Sequence, residues 1–225
     1  MTKVVRMVAE ILAGNCTGCA LCVYVCPTVA LTLRDRRPDE AGTHRRIAEL
    51  AEADCYNAQN CMEICPDEAI VMHHLAEPFT VGTDVATADA DAVRALCRSA
   101  GIGSKQLICM CAETTGGELA AAVLAGAHTP EAISLATGAR TGCTELCHQP
   151  IIQLLAAAGH GDLPRNPPRG FQWYGLAARA LDLVADDGTV APELVEAYSQ
   201  YPLVSDLRAM RGDFSEFEPA EVADD

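Results

Sequence analysis

Residues 16–27 read CTGCALCVYVCP, placing Cys16, Cys19, Cys22 and Cys26 at i, i+3, i+6 and i+10, with Pro27 directly after the last. Three thiols so spaced in a tight turn can surround one iron–sulfur cube. Zinc ligands usually come in pairs instead of a run of four. A weaker copy follows at Cys55, Cys61 and Cys65, again with a proline, Pro66, behind the last cysteine.

Both copies continue in the same order. A cysteine turn and a short helix lead to a β-rich segment, VALTL at residues 29–33 and EAIVM at 68–72. Internal repetition on this scale is itself architectural. The charged stretch RDRRPDEAG (34–42) between them has turn chemistry.

With these residues in view, the segment resembles the bacterial dicluster ferredoxins over about the first third of the chain. The resemblance implies a ferredoxin-like βαββαβ domain at 1–78, in which the cysteine before each proline reaches across to the other cluster. Cys16, Cys19, Cys22 and Cys65 would then hold a [4Fe–4S] cluster, and Cys26, Cys55 and Cys61 a second one. Ala58 stands where the second copy would carry its second cysteine. Three thiolates match a [3Fe–4S] cluster. The alternative is an incomplete [4Fe–4S] cube whose last iron takes water, Asp54 or an outside ligand.

The third set is Cys109-x-Cys111, followed after 31 residues by Cys143-x3-Cys147. Two thiols at i and i+2 on extended chain face the same side and can grip one iron. A second pair could grip the other iron of a [2Fe–2S] centre. Residues 109–158, including GAHTPE at 126–131 and TGC at 141–143, resemble the bacterioferritin-associated ferredoxin domain. That resemblance implies a small helical domain at 105–160, with [2Fe–2S] on Cys109, Cys111, Cys143 and Cys147. The family usually ends in C-x2-C, one residue shorter than here. A rival set, Cys97 with Cys109, Cys143 and Cys147, resembles thioredoxin-like [2Fe–2S] ferredoxins. That fold needs a βαβ framework, and Cys97 lies on the apolar face of a helix expected at Asp89–Ala100, where a buried free thiol is ordinary.

Local signals set out the rest. Glu77–Thr87 is loop-like, and a linker with one helix is expected at 79–104. Thr115 and Glu118 form a capping box opening a helix to Ala125, and Thr129 caps another to Thr137 with Pro130 at its first position. Cys143–Cys147 reads as loop and Pro150–Ala158 as helix. His148 reads as solvated, although it could hydrogen-bond to a cluster, and His73 and His74 read as surface residues. Residues 161–225 form an acidic helical tail, with a helix at Trp173–Ala185 and Trp173 and Tyr174 as docking anchors. Its last 25 residues hold seven acidic and two basic side chains.

Composition narrows the function. In 225 residues, half are apolar yet only 4% are aromatic, which suits small domains stabilised by metal–thiolate bonds. A net charge of −15 argues against nucleic acid and favours docking on a basic protein face. The 12 cysteines could form disulfides only in an oxidising compartment. The opening residues show no export signal and no apolar run spans a bilayer, so the expectation is a soluble cytoplasmic protein. No dinucleotide fingerprint, phosphate loop or nucleophile–base pair is present.

The expectation is therefore an α+β chain serving as a non-catalytic electron-transfer subunit of a multi-subunit oxidoreductase, beside a flavin or Mo/W partner. A free-standing ferredoxin and an iron or redox sensor are the alternatives.

Overall fold

The computed structural model describes residues 3–163 and 189–210. The chain divides into two compact units, Met1–Leu176 and Ala177–Asp225.

The first unit opens with β1 (Lys3–Ile11), α1 (Leu21–Val25), β2 (Leu31–Asp35), β3 (Arg46–Leu50), α2 (Asn60–Glu63) and β4 (Ile70–Val81). The strands pair as two antiparallel ribbons, β1 with β4 and β2 with β3. Val5, Val8, Leu31, Ile47 and Ile70 turn inward to share one apolar core.

β4 is longer than its sequence suggests, because Glu77–Val81 is strand and not loop. Lys3 to Val5 need partners and find them at Val81, Thr80 and Phe79. Pro78 falls in the irregular stretch between the pairs Val5–Phe79 and Met7–His74, where a missing N–H interrupts no ladder. The linker expected from residue 79 therefore starts inside a strand.

The two halves repeat at the backbone level. Gly18 and Asn57, Ala20 and Gln59, and Val29 and Glu68 form three matched pairs of left-handed residues. In each half, two of them flank one position, Cys19 in the first and Ala58 in the second. Gly18 has a second reason to be glycine, since a Cβ there would sit 2.5 Å from the Arg46 carbonyl oxygen.

The unit continues through α3 (Ala90–Ser99), β5 (Leu107–Cys109), β6 (Thr114–Thr115), α4 (Gly116–Leu124), α5 (Pro130–Thr137) and α6 (His148–Ala157). The caps are where local chemistry puts them. Asp89 accepts from the Asp91 and Ala92 amides, Thr115 from Glu118 and Thr129 from Ala132. Residues 116–123 of α4 are all buried. Its run of alanines lets neighbouring helices come close, and Leu119, Ile133, Ile151 and Leu155 complete a second core.

α6 begins at His148, two residues before the expected start, with Cys147 as its N-cap. Pro150 is accommodated because first-turn amides have no partner within the helix. His148 is consequently buried, not solvated.

In the second unit the described elements are α7 (Pro192–Ala197) and α8 (Leu203–Met210). The helix expected at Trp173–Ala185, with Trp173 and Tyr174, lies outside the described residues. No helix among the described residues is long and apolar enough to cross a membrane.

Candidate metal centres

The first cavity is lined by Cys16, Cys19, Cys22 and Cys65 together with Leu33 and Ile70. Cys65 comes from the turn after α2, Cys16 and Cys19 from the turn leading into α1, and Cys22 from α1 itself. The Ala48 amide donates to Cys16 Sγ at 3.5 Å and the Ala69 amide to Cys65 Sγ at 3.3 Å. Such donors stabilise a thiolate. Burial, with the neighbouring thiols adding to it, pushes the Cys22 thiol up to about 11.

Arg36 fixes this turn. Its guanidinium donates to the carbonyls of Cys16 (2.7 Å), Ala13 (2.9 Å) and His44 (2.8 Å), and also to that of Ala41. The planar fork of arginine suits such convergent acceptors. Thr17 Oγ1 adds a bond to Asp67 at 2.7 Å, tying the two cysteine turns together.

The second cavity is lined by Cys26, Cys55, Cys61 and Ala58, with Leu31, Tyr56 and Met72. Ala58 thus sits on the wall of the cavity, where the first half presents Cys19. Asp54 does not line it; its carbonyl accepts from Thr28 Oγ1 at 2.6 Å. The Ala9 amide donates to Cys55 Sγ at 3.4 Å, the counterpart of the bond from Ala48 to Cys16. Burial pushes Cys61 up to about 12 and raises Cys55 as well.

The third group gathers at the start of α6. The Cys147 thiol donates to Cys109, which lowers Cys109 and raises Cys147. The amides of Arg140, Ala112 and Cys111 also donate to Cys109. Cys143 interacts with Cys111, and its own amide lies 3.4 Å from Cys111 Sγ. Left-handed backbone at Gly138, Arg140 and Thr144 bends the loop so that both thiols of the C-x3-C pair face the C-x-C pair. Gly142 is required by close approach, because a Cβ there would sit 2.4 Å from Cys111 Cβ. Cys97 stands apart, fully buried, with its Sγ 3.4 Å from the Gly116 carbonyl. Among the five thiols it is Cys111, and not Cys97, that meets Cys143.

Three side chains from residues 3–83 reach the segment around the third group. Tyr56 Oη donates to the Leu135 carbonyl at 2.9 Å, and Thr83 Oγ1 to that of Ala136 at 3.0 Å. Lys3 Nζ donates to Thr141 Oγ1. Burial lowers the Lys3 pKa, while the nearby Cys109, Cys111 and Cys55 oppose that shift. Lys3, Arg36 and Tyr56 carry no local sequence signal; only their long-range contacts reveal them. His73 and His74 stay at the surface, with His73 Nδ1 3.9 Å from Glu10.

The donor chemistry fits iron–sulfur clusters. Thiols with amides aimed at sulfur ring two apolar voids and close a third site. Among the described residues no three His, Cys, Asp or Glu side chains converge closely enough for a single metal ion. Thiols spread around a void suit a polynuclear centre better than one tetrahedral ion.

These sites define an iron–sulfur protein with a role in electron transfer. Residues 15–69 match the family model described as a 4Fe-4S dicluster domain, and residues 107–157 the one described as a BFD-like [2Fe-2S] binding domain. The chain carries these two domains in tandem, dicluster first. No curated protein and no solved structure matches it.

Proposed function

We propose that this chain is the electron-relay subunit of a multi-subunit oxidoreductase, with a ferredoxin-like dicluster domain feeding a [2Fe–2S] domain. Cys16, Cys19, Cys22 and Cys65 would hold [4Fe–4S]. Cys26, Cys55 and Cys61 would hold [3Fe–4S], and Cys109, Cys111, Cys143 and Cys147 would hold [2Fe–2S]. Bound clusters supply one-electron redox at each site.

The observation that carries this reading is the bond from Tyr56 to Leu135. It ties the residue after Cys55 to α5, so the three-thiol site becomes the middle of the series. Each end site has an exposed ligand, Cys19 at one and Cys111 and Cys143 at the other, whereas none of Cys26, Cys55 and Cys61 is exposed. Exposed apolar side chains flank both ends, Leu21 and Tyr24 beside Cys19, and Met110 and Leu146 (67% and 68% exposed) beside the third group. An apolar rim around an exposed ligand lets a partner approach and exclude water there. The chain's residues would hold, insulate and orient the centres. The partner would be a flavin or Mo/W subunit presenting a basic face to this acidic chain, in the cytoplasm.

Affinity purification at physiological salt tests the reading. A stoichiometric flavin- or Mo/W-containing partner is expected. Recovery as an isolated monomer would instead favour a free-standing ferredoxin.

A further inference from the structure

Lys3 lies at the start of β1, in the strand whose Ala9 amide holds Cys55. Its stem packs over Gly138, so close that a Cβ there would meet Lys3 Cδ at 3.1 Å. Its ammonium ends on Thr141 Oγ1, two residues before Cys143. From there it is in electrostatic reach of Cys109, Cys111 and Cys55, thiols of two different sites. Among the described residues no carboxylate pairs with it, whereas the other buried cation of the loop, Arg140, faces Glu131 at 3.9 Å.

We propose that Lys3 is a shared tuning residue, whose one positive charge sets the reduction potentials of both the three-thiol centre and the Cys109–Cys147 centre. A cation beside a cluster favours the form with one more electron, since net charge is among the terms that set cluster potentials. A single charge serving two sites would raise both together and leave the step between them nearly unchanged. The thiols of the Cys16–Cys65 site are not among the groups that act on Lys3, so that site serves as an internal control. The inference rests on the cluster reading proposed above.

The test is an EPR-monitored redox titration of the full-length, cluster-loaded protein as wild type, Lys3→Met and Lys3→Arg. In Lys3→Met the reduced-to-oxidised ratio at fixed potential should fall on the order of tenfold at the middle and third centres, about 59 mV each. The [4Fe–4S] centre should not move, and Lys3→Arg should stay near wild type. A role confined to packing would leave potentials alone and be restored no better by arginine than by methionine. Loaded clusters whose potentials do not shift, or shift at one of the two sites only, would overturn the assignment. Wild-type protein without the signals would instead overturn the cluster reading beneath it.

Discussion

Tyr56 Oη donates to the Leu135 carbonyl at 2.9 Å, across 79 residues of sequence, joining the residue after Cys55 to α5. Tyr56 also meets Phe79 edge-on, with ring centroids 6.0 Å apart, so its ring is held from the β4 side as well. Tyr56→Phe keeps the ring and removes only the hydroxyl. The expected loss is about 1 kcal/mol of unfolding free energy, with cluster content unchanged. Chemical denaturation of wild type and variant checks this; identical midpoints would show that the bond contributes nothing to joining the domains.

Ala58 shares with Cys19 a position flanked by two left-handed residues, and it lines its cavity as Cys19 does. Ala58→Cys should therefore convert a three-iron centre into a four-iron one, adding about one iron per chain. Loss of the oxidised [3Fe–4S] EPR signal, with iron analysis, reads the outcome. An unchanged spectrum would refute the ligand assignment at this cavity.

Much of this was legible in the sequence where chemistry is local. The cysteine–proline runs mark both halves of the first domain, and Asp89, Thr115 and Thr129 cap helices with their own side chains. The C-x-C and C-x3-C pairs meet at the start of α6. What could not be read is non-local. The extra length of β4 depends on Lys3–Val5, which lie far away in sequence, and no window around Pro78 reports that pairing. The left-handed pairs around Cys19 and Ala58 were hidden because Ala20 and Gln59 are ordinary residues in an unusual conformation. Arg36 reads as one more charge in a polar loop until its four carbonyl partners are seen. The burial of His148 depends on α6 starting before Pro150, which no local signal reports.

Burial raises Cys22 and Cys61 from 9.0 to about 11 and about 12. In the metal-free protein both thiols hold their protons more tightly folded than unfolded. Their contribution to stability is complete below about pH 9 and is lost as pH rises toward 11 and 12. The melting temperature of metal-free protein should therefore fall across that window. Metal loading reverses the sign, since ligation needs thiolates and protons compete for them. Loaded protein should lose its clusters on acidification. Thermal melts of both forms against pH check the pair of trends; a metal-free melting temperature that rises above pH 9 would contradict the buried-thiol account.

The most direct test of the central claim is iron and acid-labile sulfide analysis, with EPR, on anaerobically purified full-length protein. Three centres of four, three and two irons predict about nine irons per chain and a [3Fe–4S] signal in the oxidised state. A colourless protein, one loaded with zinc, or a total near four irons would contradict a relay of three clusters.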